Sequence, residues 1–385
     1  MTIPDERKET DPDMSADDSG IVRCPSCGEN AAPRARFCEN CGTPLGTPGA
    51  DPAAPSEVTL ELAPTVVDPD PATGDSSARR SCVACGGTIA PDGYCADCGT
   101  PGQSERDHFE ERPADWVAGV CDRGVRHARN EDAMALAAGS TFAALVVCDG
   151  VSSAPDSDVA SLAASRAARD VLVAYGPQGS SSVQGATSRR IAGWTDAMVA
   201  ASRAAGQAVR GAAEQLAATK GTDVADDPPS CTFVAAVVDD GLIVTGWLGD
   251  SRVYWLPDAG PAEQLSVDDS WAQEMIAQGV PRAQAETSPQ AHAITRWLGP
   301  DAPDTDARCA ATVPAEPGWL LVCSDGLWNY CSDAHDMSDL VRRFATSGDP
   351  HTTAAALVRW ANAQGGRDNI TAALARVSPT VTEQR

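Results

Sequence analysis

The chain has 385 residues, 42% of them apolar, enough for one large domain with appendages and a sizeable core. Its 54 acidic residues against 29 Lys plus Arg give a formal net charge of −25, which argues against nucleic acid or an anionic membrane surface as a main partner, because both require a basic footprint. No apolar run approaches the ~20 residues of a membrane span, and residues 1–18 hold no apolar signal core, so a cytoplasmic protein is expected.

Residues 1–20 are polar and acidic and are expected to form a disordered tail. Two similar stretches follow, Cys24 to Gly46 and Cys82 to Gly102, each with Cys-x-x-Cys-Gly, an aromatic, and Cys-x-x-Cys-Gly-Thr-Pro. Eight of the 14 cysteines lie in these pairs, whose knuckles are ten or nine residues apart. That spacing lets four thiolates close tetrahedrally on Zn²⁺, so Cys24, Cys27, Cys38 and Cys41 are read as one structural zinc site and Cys82, Cys85, Cys95 and Cys98 as a second. A segment of ~20 residues has little core of its own, and metal binding would supply its folding free energy. A thioredoxin-like redox role lacks the βαβ context. The modules occupy 21–46 and 81–102. Between them, 47–80 is rich in Pro, Ala and acid and reads as an extended linker, with a second linker at 103–113.

From residue 114 to 377 strand and helix signals alternate, and 378–385 is expected to be a tail. The apolar run 142–148 precedes Asp149 and Gly150. Residues 159–175 and 188–218 read as two Ala-rich helices, and 231–238 with 242–248, joined at Asp239, Asp240 and Gly241, as a hairpin. The second hairpin strand ends at Asp250. The run 319–323 ends at Asp325, and Asp368 precedes the apolar stretch from Ile370. Helical segments begin near Ser270, Asp336 and His351. Strands alternating with helix pairs imply sheets covered by helices.

Four acids thus sit at strand ends, with Glu131 and Asp132 nearby. If the strands neighbour one another in a sheet, the acids meet at one edge, where they repel unless protonated or bridged by cations. Oxygen-rich sets of this kind suit Mg²⁺ or Mn²⁺, and paired ions can activate water for in-line attack on phosphorus. Gly150 leaves room for a backbone carbonyl to approach an ion.

The order Asn-Glu-Asp, strand-Asp-Gly, Gly-Asp-Ser-Arg (with Arg252), Ile294 to Gly299, Ser-Asp-Gly-Leu and Asp-Asn-Ile-Thr resembles the metal-dependent protein serine/threonine phosphatases of type 2C, over residues 115–377. The resemblance implies an α+β fold, a four-layer α-β-β-α sandwich with the metal centre at one end, here preceded by two small four-cysteine zinc ribbons. It implies that Asp149 bridges two metals, with Asp325 and Asp368 completing the first, and the Gly150 carbonyl and Glu131 serving the second. Asp250 and Asp325 match a third site of bacterial relatives. The cofactors implied are two or three Mn²⁺ or Mg²⁺, beside two structural Zn²⁺, and the substrates are phosphoserine and phosphothreonine on proteins, in opposition to Ser/Thr kinases.

The chain departs from the pattern at three points. The arginine that grips phosphate in the family is replaced by His127. In an extended chain His127, Arg129 and Glu131 share a face, and Arg129, able to hold phosphate oxygens bidentately, is the leading replacement with His127 second. Asp-Gly-x-Gly-Gly becomes Asp149-Gly150-Val151-Ser152-Ser153, so Val151 has no proton to give and the loop is expected to differ in shape. Asp268, Asp269 and Ser270 read as a helix start with an acidic first turn, outside the site. The six remaining cysteines read as small buried hydrophobes.

The competing reading is a catalytically weakened, phosphatase-shaped binding or scaffold protein tethered through its ribbons. The ribbons are expected to bind a protein partner or the catalytic domain. In the linker Thr65 precedes Asp68 by three residues, similar to the phosphothreonine pattern read by forkhead-associated domains. A chain starting near Arg112 is expected to keep phosphatase activity, since no ribbon residue enters the chemistry.

Overall fold

The computed structural model describes residues 22–23, 30–31, 85–90, 95–99, 102, 104–177, 184–220 and 227–379. The chain divides into two units, Met1–Ser76 and Ser77–Arg385. In the first, the described residues form one short antiparallel pair, β1 (Val22–Arg23) with β2 (Asn30–Ala31). The expected acidic tail, Cys24, Cys27, Cys38, Cys41 and the linker with Thr65 lie outside the described residues, as do Cys82 and 380–385.

The second unit holds two antiparallel sheets. The six-stranded sheet has the order β10 (Glu263–Gln264), β9 (Arg252–Pro257), β12 (Gly318–Cys323), β13 (Ile370–Val377), β4 (Val117–Asp122), β3 (His108–Ala114). The five-stranded sheet has the order β11 (Arg308–Thr312), β8 (Leu242–Leu248), β7 (Phe233–Asp239), β6 (Phe142–Cys148), β5 (Ala133–Ala138). Side chains of a strand alternate faces, and here both faces are buried. On β6, Ala143, Leu145 and Val147 join Val234, Val253, Leu320, Val322 and Ala373 in a core between the sheets. Phe142, Ala144, Val146 and Cys148 point the other way, into a core shared with α1 (Ser157–Tyr175) and α2 (Gln184–Lys220). The outer face of the six-stranded sheet packs in the same manner on α5 (Asp325–Trp328), α6 (Ala334–Phe344) and α7 (Pro350–Gln364). This is the α-β-β-α sandwich expected. Two short helices, α3 (Trp271–Ala277) and α4 (Arg282–Ala285), lie in the long connection from β10 to β11.

The β7–β8 hairpin turns on Asp240 and Gly241, at φ 47° and 76°. Positive φ at both positions matches the right-handed twist of the flanking strands, and Asp-Gly is a favoured pair for it.

One boundary differs from the sequence reading. The segment expected as a linker, 103–113, contains most of β3, which pairs with β4 at the sheet edge. Arg106 Nη2 donates to the carbonyls of Asp132 and Asp158, at 3.2 Å each, and Phe109 packs against the core between the sheets. A charged, only partly apolar edge strand carries no clean alternation, which is why local pattern did not reveal it. A chain beginning at Arg112 loses Arg106, Phe109 and half of β3. It is expected to be less stable by about 3 kcal/mol, the scale of deleting one packed aromatic, than a chain beginning at Gln103. Urea midpoints of the two measure this, and coincident midpoints would contradict it.

Candidate active site

Strand direction alone brings the acids together. β6 and β8 flank β7 antiparallel to both, so they run the same way and end at the same end of their sheet, where Asp149 and Asp250 follow. β5 runs opposite to β6, so its start, preceded by Glu131 and Asp132, lies at that end as well. In the other sheet β12 ends and β13 begins at the site, delivering Asp325 and Asp368. The acid-tipped strands are divided between two facing sheets, and the carboxylates meet across the end of the sandwich, where the family resemblance placed the metal centre.

Burial pushes all of these aspartate carboxyls up, and their neighbours add to it. Asp149 lies well above the usual carboxylate range, first because it is desolvated and then because Asp132, Asp325, Asp368 and Asp250 surround it. Asp250 is likewise raised by burial, with Asp325 and Asp268 beside it. Asp132, Asp325 and Asp368 are each pushed up to about 6, burial again being the largest cause. Asp132 Oδ1 and Asp325 Oδ1 are buried and receive no hydrogen bond. A set of acceptor-only oxygens, mutually repelling and partly unsatisfied, fits divalent cations.

Polar side chains around the acids hold the set in place. Glu131 Oε1 accepts from Ser157 Oγ at 2.8 Å, and its backbone carbonyl accepts from Ser161 Oγ at 2.5 Å, both from the first turns of α1. Asn369 Oδ1 accepts from the Glu131 amide at 2.8 Å. Asp132 Oδ2 accepts from Ser324 Oγ and Thr371 Oγ1, each at 2.7 Å, which brings into the centre a residue the sequence reading noted without assigning it a role. Thr232 Oγ1 accepts from the Asp149 amide at 3.0 Å and pairs with Ser251. Asn369 and Thr371 lie inside the Asp-Asn-Ile-Thr motif; Ser157, Ser161 and Thr232 carry no local signal. Gly150 is required by close packing, since a Cβ there would come within 2.7 Å of the Glu131 carbonyl.

The two cations expected to compete for phosphate separate clearly. Arg129 spends its guanidinium on carboxylates, donating to Glu131 Oε1 from Nε at 2.9 Å and Nη2 at 2.7 Å, with Asp158 3.7 Å and Asp156 4.0 Å away. His127 stands at the centre itself, Nε2 3.3 Å from Asp368 Oδ1. Three nearby acids engage the Arg129 guanidinium, whereas His127 has one.

The loop after Asp149 turns without the family's glycines. Ser152 and Ser153 adopt ordinary angles, and the positive φ, 58°, falls on Asp156 just before α1. Ser270 caps α3, its Oγ accepting from the Gln273 amide, as expected for a helix start. Asp268 and Asp269 precede the cap instead of filling the first turn, since each is drawn to arginine. Asp268 grips the buried Arg252 bidentately, at 2.6 to 3.1 Å, and Asp269 lies 3.0 Å from Arg308 and 3.6 Å from Arg296. Arg252 also stacks 3.6 Å over the Trp328 ring and donates to Ser332, so it braces the turn that carries Asp250. Cys121, Cys148, Cys231 and Cys323 are buried as expected; Cys309 and Cys331 are only partly so. Of the second ribbon, Cys85, Cys95 and Cys98 are described, and their sulfurs converge within 4.8 Å.

Two sheets between helix layers, with an acid centre at one end, define the class. A family model described as protein phosphatase 2C matches residues 123–362, and this chain belongs to that family. A zinc-ribbon domain model matches residues 21–45. Protein phosphatase PhpP of Streptococcus pneumoniae is 36% identical over 143 residues, 37% of this chain, and the match spans about half, 55%, of that curated relative. The Ser-Thr phosphatase MsPP of Mycobacterium smegmatis, solved with cacodylate, shares the fold at 26% identity, a TM-score of 0.51, and 68% of this chain against 98% of its own. The serine/threonine phosphatase PstP/Ppp of Mycobacterium tuberculosis does so at 23% identity and a TM-score of 0.51, with the same coverage of both chains. Among the described residues no helix is long and apolar enough to cross a membrane.

Proposed function

We propose that this chain hydrolyses phosphoserine and phosphothreonine esters on proteins, opposing Ser/Thr kinases of the same cell. The observation that carries the reading is the convergence of Glu131, Asp132, Asp149, Asp250, Asp325 and Asp368 at one end of the sandwich, with two buried carboxylate oxygens unsatisfied. Glu131, Asp149, the Gly150 carbonyl, Asp250, Asp325 and Asp368 would hold two or three Mn²⁺ or Mg²⁺. Such cations lower the pKa of water and screen phosphoryl charge.

The chain's own groups do the rest. Arg129, Ser157 and Ser161 fix Glu131, and Thr232 fixes the Asp149 backbone. Water attacks phosphorus, the bond to the seryl or threonyl oxygen breaks, and the leaving oxygen takes its proton from solvent, because Val151 has none to give. His127, beside Asp368, orients the phosphate. A binding or scaffold role does not account for keeping so many repelling acids together.

The eight paired cysteines would hold two Zn²⁺ and serve a protein partner, and phosphorylated Thr65 would offer a dock for a forkhead-associated domain. A cytoplasmic location accords with this signalling role.

The primary test is hydrolysis of a phosphothreonine peptide by the full chain with Mn²⁺, with Mg²⁺ and with chelator. Activity that survives chelation would overturn the reading. A second measurement separates the two cations. His127→Ala is expected to lower kcat/KM about ten- to a hundredfold, the worth of one charge-assisted hydrogen bond to phosphate, with no rescue by added Mn²⁺. Arg129→Ala, which frees Glu131, should be largely rescued by excess Mn²⁺. A defect in Arg129→Ala that added Mn²⁺ leaves untouched would return the phosphate grip to Arg129.

A further inference from the structure

We propose that His292 completes a mixed nitrogen and oxygen metal site with Asp250 and Asp325, and that this site prefers a first-row transition cation such as Mn²⁺ to Mg²⁺. The inference rests on the proposed function for the two carboxylates and adds the imidazole.

One ligand atom from each of Asp250, His292 and Asp325 lies within 4.8 Å of the other two. His292 Nδ1 is 3.9 Å from Asp325 Oδ2. That is too long for a hydrogen bond. It is the right scale for two ligands of one cation, since bonds of about 2.1 Å place neighbouring ligands about 3 Å apart and opposite ligands about 4.2 Å apart. Asp250 is 5% exposed, and Asp325 Oδ1 is buried with no hydrogen bond, so the acid side of the site has unsatisfied capacity.

His292 comes from the connection between α4 and β11, far in sequence from both acids, and the backbone holds it there. The Trp271 amide donates to the Ala293 carbonyl at 2.9 Å, the Ala293 amide to Gln290, and the Ala291 amide to Ser288 at 3.0 Å. Ala291 is buried against Ala272 and Ala285. The Trp328 ring, one helical turn beyond Asp325, flanks the imidazole at 6.0 Å. A histidine serving the core would be covered, whereas the His292 side chain is 53% exposed. It therefore has an open side on which water could complete a coordination shell.

The chemistry follows from the donors. Mg²⁺ favours oxygen and keeps its waters, while imidazole suits Mn²⁺, Zn²⁺ and other transition cations. His127, another histidine near the acids, has Asp368 as its ion-pair partner, Nε2 3.3 Å from Oδ1.

Pulsed electron paramagnetic resonance on the full chain, stripped with chelator and reloaded with Mn²⁺, reads nitrogen coordination directly and independently of turnover. The expected result is ¹⁴N modulation from a bound imidazole in the unmodified chain and in His127→Ala, and its loss in His292→Ala and His292→Asn. Titration should show one class of Mn²⁺ site weakened at least the roughly tenfold that even an outer-shell partner costs, with Mg²⁺ affinity unchanged. Two substitutions guard against a folding artefact in either. Bound Mn²⁺ without ¹⁴N modulation, or modulation that survives both His292 changes, overturns this inference and leaves the proposed function standing. A chain that binds neither Mn²⁺ nor Mg²⁺ overturns both.

Discussion

Asp149→Ala and Asp325→Ala are each expected to lower phosphopeptide hydrolysis by about a thousandfold or more, a loss of ~4 kcal/mol of transition-state stabilisation. Asp149 sits at the middle of the acid cluster, with Asp132, Asp250, Asp325 and Asp368 all acting on its carboxyl. Removing it would take a ligand from the cations that Asp149 is proposed to hold, and the activation of water that they would supply goes with it. The fold should survive, because the strand leading to Asp149 is secured by β5 and β7 on either side and by the Thr232 contact to the backbone. Hydrolysis by purified Asp149→Ala at the unmodified rate would refute the assignment of the centre. The same substitution relieves repulsion, so the metal-free variant should melt no lower than the parent.

The second large effect concerns pH and metal together. Asp132, Asp325 and Asp368 have folded pKa values near 6, raised from an ordinary 3.8. Between those values the folded state binds more protons than the unfolded one. The stabilising contribution is therefore full at low pH and is lost as pH rises through about 6. Metal-free protein should lose stability from about pH 4 to 6, and saturating Mn²⁺ should reverse the loss, by about 2.7 kcal/mol per site at a hundredfold excess over Kd. Carboxyls held low, such as Glu110 by the His351 hydrogen bond and Asp258 by Arg376, titrate below this window. His108, raised by its hydrogen bond to Asp122, acts in the same direction above this window, and His292, lowered by burial, acts against it near the top. Subtracting the pH profile of Asp149→Asn cancels both histidines. Chemical denaturation with chelator across the window gives the measurement, and a difference profile that is flat or rises with pH would contradict the account.

The residues of the centre were legible because chemistry constrains them locally. An aspartate beside a glycine after a fully apolar strand is unusual for a buried chain, and Asp149, Asp250 and Asp325 repeat it in an order that carries a family resemblance. The two Ala-rich helices and the Asp240-Gly241 hairpin were equally readable, since periodicity and turn chemistry are properties of neighbours. Sheets covered by helices followed from strand runs alternating with helix pairs, and the four-layer order from the family resemblance.

Tertiary structure decided what neighbours cannot. Whether the acid-bearing strands lie in one sheet or two depends on pairing between distant segments, and the structure divides them. Which acids engage Arg129 depends on α1, because Asp156 and Asp158 reach it only after that helix folds back on the loop before β5. Strand β3 hid at a charged edge with weak alternation, although Arg106 beside it supports Asp132. His292 gave no signal because its partners lie 42 residues before it and 33 after it, and only the packing of the β10–β11 connection sets the imidazole beside both. The sequence determined which acids stand at the strand ends; long-range contacts, whose partners local pattern cannot encode, decided which side chains surround each of them.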